Sequence, residues 1–136
     1  MELVESYGLK NPISALSNPA NHDFKYLEQL LLEIIMGRGF ILIDQSMNGC
    51  IIAMKSRNIW CPKVWELREL VWWVEPEHRN TTIGGRLWFE FERMAREMLA
   101  EKKIDYICTS ITAGGPFIDY TKRGYKPLDA TFFRDQ

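Results

Sequence analysis

Apolar positions recur with different spacings along the chain, and each change of spacing marks a boundary between elements. Residues 9–23 are rich in Asn, Pro and Ser and have no period, so they read as loop or short helical turns. From Asp23 onward, Phe24, Leu27, Leu30, Leu31, Ile34 and Ile35 recur every three or four residues. Asp23 is a suitable N-cap and Gly37 or Gly39 a suitable end, so the spacing predicts a helix. Two short β-branched runs, 40–44 and 50–54, flank Asn48-Gly49, a dipeptide favoured in tight hairpin turns. A loop with Asn58, Trp60 and Pro62 leads to residues 64–74, the longest strand candidate, which Pro76 stops. Over 83–103, Ile83, Leu87, Phe91, Met94, Met98 and Leu99 form one apolar stripe, and charged residues occupy much of the rest. This predicts a long amphipathic helix. Residues 104–111 then read as a strand, 115–123 as a short helix and 125–134 as a last strand. The order fits an α/β (α+β) domain, a mixed, mostly antiparallel sheet with helices on its faces.

The chain has 136 residues, 46% of them apolar and 26% charged, which suits one packed domain and excludes collagen-like and disordered classes. The expected domain is 1–136, with 24–136 as its core and 1–23 as an abbreviated N-terminal segment. A net charge of −1 gives no electrostatic footprint for nucleic acid. No apolar run is long enough to span a membrane, and the acidic N-terminus has no apolar segment of a secretory signal. Cys50, Cys61 and Cys108 are an odd number without CxxC spacing and read as reduced thiols. With His22 and His78 as the two histidines and no HExxH, no metal site is expected. A soluble, cytoplasmic protein is the expectation.

The informative segment runs from strand 64–74 through 75–85 into the long helix. A strand enters a turn with Arg79, Asn80, Thr81 and Thr82, and the helix opens at Ile83, Gly84 and Gly85. Free amides at a helix N-terminus, beside small residues and hydroxyls, attract phosphate or pyrophosphate, because the donors and the helix dipole both favour negative charge. Gly84 and Gly85 allow close approach of a ligand, and Arg79 and Arg86 add positive charge. On residues alone, a plain loop that packs a helix on a strand is the alternative.

RNTTIGGRL, residues 79–87, resembles the acyl-CoA-binding motif of the GCN5-related N-acetyltransferases (GNAT), Arg/Gln-x-x-Gly-x-Gly/Ala followed by an aliphatic residue. Arg79 stands at its first position, Gly84 at its last and Leu87 at the aliphatic anchor, while Thr82 stands where the family has its first Gly. Val74-Glu75-Pro76 resembles the Val-x-Pro that ends the preceding strand in that family. Downstream, 119–125 is similar to the family's Leu-Tyr-x-Lys-x-Gly-Phe segment, with Tyr120 on the tyrosine and Gly124-Tyr125 on Gly-Phe. Ala113 occupies a position where the family often has Asn, and Ser110 or Thr112 could replace its contact. The brevity and the five tryptophans resemble members carried by bacteriophages.

The resemblance implies the acyl-CoA N-acyltransferase fold, a sheet splayed beside 66–74, and acetyl-CoA held in the split. Backbone near Trp73 and Val74 would hold the pantetheine arm, and Arg79, Asn80, Thr81, Thr82, Ile83, Gly84 and Gly85 the pyrophosphate. It further implies transfer of an acetyl group to a small-molecule or peptide amine by direct attack in a ternary complex, with Tyr120 as acid. A homodimer is compatible with it. Glu69 is the candidate base and Glu66 or water the alternatives. Three residues apart on a regular strand, the two carboxylates point to opposite faces, Glu69 with Val71 and Trp73, Glu66 with Leu70 and Trp72. Trp72 and Trp73 read as core on both faces or as a substrate wall, and Trp60 and Trp65 as substrate contacts. A catalytically silent scaffold, binding CoA or a partner protein, is the competing reading, since fold does not fix function.

Overall fold

A computed structural model describes residues 1–112 and 115–135, with the side chains of 14 and 15 also left aside. Ala113 therefore lies outside the described residues. The elements are α1 (Glu2–Leu9), α2 (Ser14–Ser17), α3 (Phe24–Glu33), β1 (Gly39–Ile43), β2 (Gly49–Arg57), β3 (Trp65–Val74), α4 (Ile83–Ala100) and β4 (Tyr106–Cys108). Single 3₁₀ turns lie at Pro19–Asn21, Pro76–His78 and Tyr120–Arg123.

Local chemistry places most boundaries where the sequence puts them. The Asp23 carboxylate accepts from the Tyr26 amide at 3.0 Å and caps α3. The helix runs on through one π-helical turn, Ile34–Arg38, and stops at Gly37, whose φ of 129° suits a residue without Cβ. β1 and β2 pair antiparallel around the Asn48-Gly49 turn, with Ile43 opposite Cys50. The long helix is shorter than 83–103 because Lys102 turns to a φ of 59°, and its first turn is tied to the hairpin by Arg86–Asp44 at 3.5 Å.

The sheet order is β1-β2-β3-β4, antiparallel except for β3 with β4, which is parallel. Cys50, Ile51, Ile52 and Ala53 of β2 are all buried, since helices cover both faces. Ile51, Ala53 and Leu67 pack with Ile83, Leu87, Trp88 and Phe91 of α4 on one face. Cys50, Ile52, Val71 and Trp73 pack with Leu3 of α1 and Ile34 on the other.

The abbreviated N-terminal segment opens with helix α1, whose Leu3, Val4 and Tyr7 share a face that packs on the cluster around Trp73. Three expectations are corrected. Residues 125–134 form no strand, and in place of a helix over 115–123 there is one 3₁₀ turn at Tyr120–Arg123, ended by Gly124 in the left-handed region. The strand expected over 104–111 pairs at Tyr106–Cys108 alone.

Candidate active site

A β-bulge shapes the site. Ile52 pairs with Val71 but Ala53 pairs with Glu69, so Leu70 is an extra residue in β3. The bulge breaks the alternation assumed from the sequence. Glu69 sits opposite Ala53, whose side belongs to the α4 face, and Trp72 and Val74 pack on that same face while Val71 and Trp73 take the other. At the same point β4 leaves β3: the last parallel pair is Arg68 with Cys108. The chain of β3 beyond residue 68 thus lacks a partner on that edge, and the sheet splits.

The split is a cleft of about 550 Å³. Glu69, Trp73 and Val74 line one side, Arg79, Thr81, Gly84 and Gly85 another, and Ser110, Thr112, Tyr120 and Arg123 the side facing β3. Asn80, Thr82 and Ile83 are not among the lining residues. Asn80 and Thr82 are exposed, and Ile83 is a core residue whose side chain fills the α4 cluster. Trp60 and Trp65 are also elsewhere. Trp60 is 87% exposed in the β2–β3 loop, and Trp65 lies under Lys55 and Arg57, 4.5 and 4.9 Å from its ring. That loop precedes the paired end of β3, away from the split. Trp72 stacks on Trp88 with ring centres 5.0 Å apart, and Tyr7 meets Trp73 edge-on at 5.8 Å, so each indole is wall and core at once.

Glu69 is 6% exposed, and the Thr109 hydroxyl reaches it at a long 3.4 Å. Burial disfavours the carboxylate and pushes its pKa up to about 7, although the Ser110 backbone and Thr109 oppose the shift. Glu66 is the opposite case. It accepts from Tyr106 at 2.7 Å, Arg68 at 3.1 Å and Ser56 at 3.3 Å. Its desolvation is outweighed by those donors, which hold its pKa below the ordinary value. Tyr120 packs against Trp88 and Tyr125, and its hydroxyl is buried with no hydrogen-bond partner among the described residues. Burial raises the phenol's pKa, with Thr109 opposing and the charge of Glu69 adding to the rise.

The turn before α4 is ordered from within. The Arg79 Nε donates to the Val74 carbonyl at 2.9 Å, and its guanidinium lies 4.5 Å from the Trp73 ring centre. Thr81 donates to the His78 carbonyl, and Thr82 caps α4 without a side-chain hydrogen bond. The first-turn amides have no intrahelical acceptor, as at any helix start. A Cβ at Gly85 would meet nothing within 4 Å, and one at Gly84 would make ordinary contacts with Val74 and Trp72. Packing therefore requires neither glycine, while a ligand approaching the backbone benefits from both. A helix start of this kind suits an anionic group. Tyr7 and Arg123 also line the cleft and had no signal in the motifs, because α1 and the 120–123 turn reach it only in the folded chain.

No protein-family model matches the chain, and no curated protein matches it by sequence. Solved structures do match. An aminoglycoside acetyltransferase from an uncultured soil metagenomic sample superposes with a TM-score of 0.62 at 12% identity, covering 99% of this chain and 86% of that one. A transcriptional regulator from Bacillus halodurans gives 0.59 at 14%, covering 96% and 92%. A GNAT family acetyltransferase from Staphylococcus aureus gives 0.54 at 18%, covering 85% and 78%. The split sheet, the strand–turn–helix beside it and these likenesses agree, and the chain has the fold of the GNAT acetyltransferases.

Proposed function

We propose that the protein is an acetyl-CoA-dependent N-acetyltransferase working in the cleft beside β3. The observation that carries the reading is that Glu69 and Tyr120 face one open cleft which ends at the glycine start of α4. The α4 amides at Gly84 and Gly85 and the Arg79 guanidinium would hold the pyrophosphate, with Thr81 beside them. The edge of β3 at Trp73 and Val74, which has no strand beside it past Arg68 but gives its Val74 carbonyl to the Arg79 Nε, would hold the pantetheine arm. Acetyl-CoA, when bound, supplies an activated acyl group, so a C–N bond forms at the acceptor amine as the C–S bond breaks. Glu69, near half-ionised at neutral pH, takes the proton that the amine must lose. The Tyr120 hydroxyl, whose pKa burial raises, keeps its proton for the departing sulfur. The low-dielectric walls of Trp72 and Trp73 strengthen both interactions.

A silent scaffold is the second reading, favoured by Thr82 at the motif's first Gly position. An inward-filled split would support it, yet Trp72 and Trp73 lie along the walls and leave the cleft open. Calorimetry with acetyl-CoA tests the proposal. Binding is expected for the wild type and is lost in Gly84→Glu, whose carboxylate would stand in the pyrophosphate position. No heat and no thermal shift at millimolar acetyl-CoA would contradict it.

A further inference from the structure

The turn 58–64, between β2 and β3, holds two apolar side chains out in water on an ordered frame. Asn58 builds the frame. Its side-chain carbonyl accepts from the Trp60 and Cys61 amides at 2.8 and 3.2 Å, and its Nδ2 donates to the Tyr106 hydroxyl at 2.9 Å. Its own amide donates to the Val64 carbonyl at 2.8 Å. Ile59 and Trp60 stand on this turn 86% and 87% exposed. Two adjacent side chains so exposed form a protrusion, and the hydrogen-bonded frame lowers the ordering cost of binding through it.

Register puts two further turns at the same end of the sheet. β1 enters opposite Met54, close to the end of β2, and β4 enters opposite Glu66, close to the start of β3. The turn before β1 carries Ile35 and Met36, both exposed. The turn before β4 is tied to β3 by the Asp105 amide, which donates to the Trp65 carbonyl at 2.8 Å. The three turns thus follow one another in sheet order. Charge gathers with them: Arg38, Lys55, Arg57, Lys63, Lys102 and Lys103 lie here, against Glu33, Glu101 and Asp105. Glu66 is matched by Arg68. Six basic against three acidic side chains make this end positive in a chain of net charge −1. Lys55 and Arg57 are held at the root of the protrusion, 4.5 and 4.9 Å from the Trp65 ring centre. The cleft lies toward the other end of β3 and is lined by none of these residues.

An exposed apolar patch rimmed by charge marks an interaction surface. Indole and aliphatic side chains enter the interfacial layer of a bilayer, and lysine and arginine are drawn to anionic headgroups. A folded partner would need a separate pocket for each protrusion, whereas lipid deforms around them. Nucleic acid would use the cations and leave Ile35, Met36 and Ile59 in water. We propose that this end of the molecule docks on a membrane surface carrying anionic lipid, with Ile59 and Trp60 set between the headgroups and Lys55, Arg57 and Lys63 against their phosphates. The inference goes beyond the acetyltransferase reading and does not depend on it.

The test is flotation of the full chain, without acetyl-CoA, on vesicles of phosphatidylcholine alone and with about 30% phosphatidylserine. Binding to the anionic vesicles is expected to exceed binding to the neutral ones at least about tenfold and to fall in about 0.5 M salt. Lipid brominated in its acyl chains should quench part of the wild-type fluorescence, and that part should be missing in Trp60→Phe. Trp60→Ala is expected to weaken binding about tenfold. Lys55→Gln, Arg57→Gln and Lys63→Gln together should abolish the preference for anionic vesicles. Circular dichroism matching the wild type checks that each variant is folded. No flotation, equal binding to both vesicle types, or quenching unchanged in Trp60→Phe would each overturn the proposal. So would a Trp60 that single-stranded oligonucleotide, polyglutamate or a second copy buries while vesicles do not. Acetyl-CoA binding, present or lost, bears on the enzyme reading alone.

Discussion

Residues 66–68 of β3 are paired on both edges, whereas residues 69–74, the bulged Leu70 apart, keep β2 and lose β4. The two stretches carry similar letters, Trp-Glu-Leu-Arg against Glu-Leu-Val-Trp, and each has one glutamate. In the paired stretch Glu66 gathers Ser56, Arg68 and Tyr106 around its carboxylate, with Asn58 completing the set through Tyr106 at 2.9 Å. In the open stretch Glu69 is buried more deeply with one long side-chain donor. One carboxylate is stabilised as an anion and the other is held near neutrality. Strand pairing, more than residue type, separates a carboxylate held ionised from one whose pKa burial raises.

Exchanging the roles of the two glutamates breaks the comparison most sharply. Glu69→Gln keeps shape and removes the proposed base, so the acetyl-transfer rate should fall by about 10²–10⁴-fold with acetyl-CoA affinity unchanged. The same variant alters stability against pH. The folded pKa of Glu69 lies above its unfolded one, so its contribution is intact below about pH 4.5 and is lost as pH rises through about 7. Denaturation at pH 8 should therefore show Glu69→Gln gaining up to about 3 kcal/mol over wild type, with no gain at pH 4. A flat difference across that range would contradict the burial argument.

Tyr120→Phe should slow transfer less, toward the low end of that range at about 10²-fold, because a thiolate leaves readily even unprotonated. Its stability should hold or rise slightly, since the lost hydroxyl has no internal partner. A rate equal to wild type removes Tyr120 from the mechanism. Glu66→Ala sharpens the contrast from the other side. It leaves Tyr106, Ser56 and Arg68 without their acceptor and should cost about 1–3 kcal/mol in urea unfolding. The transfer rate per folded molecule should be unchanged; a loss comparable to that of Glu69→Gln would dissolve the distinction between the halves.

The local signals carried much of this architecture. Asp23 caps α3, Asn48-Gly49 turns the hairpin, and the stripe from Ile83 forms α4, because each depends on neighbours within a few residues. Glu69 and Tyr120, singled out from position and motif, both line the cleft. The bulge at Leu70 was not legible. It exists only in the register between β2 and β3, and it reverses the faces of everything after it, so strict alternation placed Glu69 on the wrong side. Residues 125–134 have strand-like composition but form no strand, because composition does not supply an edge to pair with. Trp60 and Trp65 read as substrate contacts if their loop lies over the acceptor side, yet that loop sits at the other end of a ten-residue strand.

The account turns on Glu69 and Glu66 titrating differently on one strand. Carbon-13 NMR of the two side-chain carboxyls, assigned with Glu66→Gln and Glu69→Gln and followed from pH 3 to pH 9, measures this without an acceptor or acetyl-CoA. Glu69 is expected to titrate near pH 7 and Glu66 below the ordinary glutamate value of 4.5. Both carboxyls titrating together near 4.5 would contradict the assignment of a base to the open half of β3.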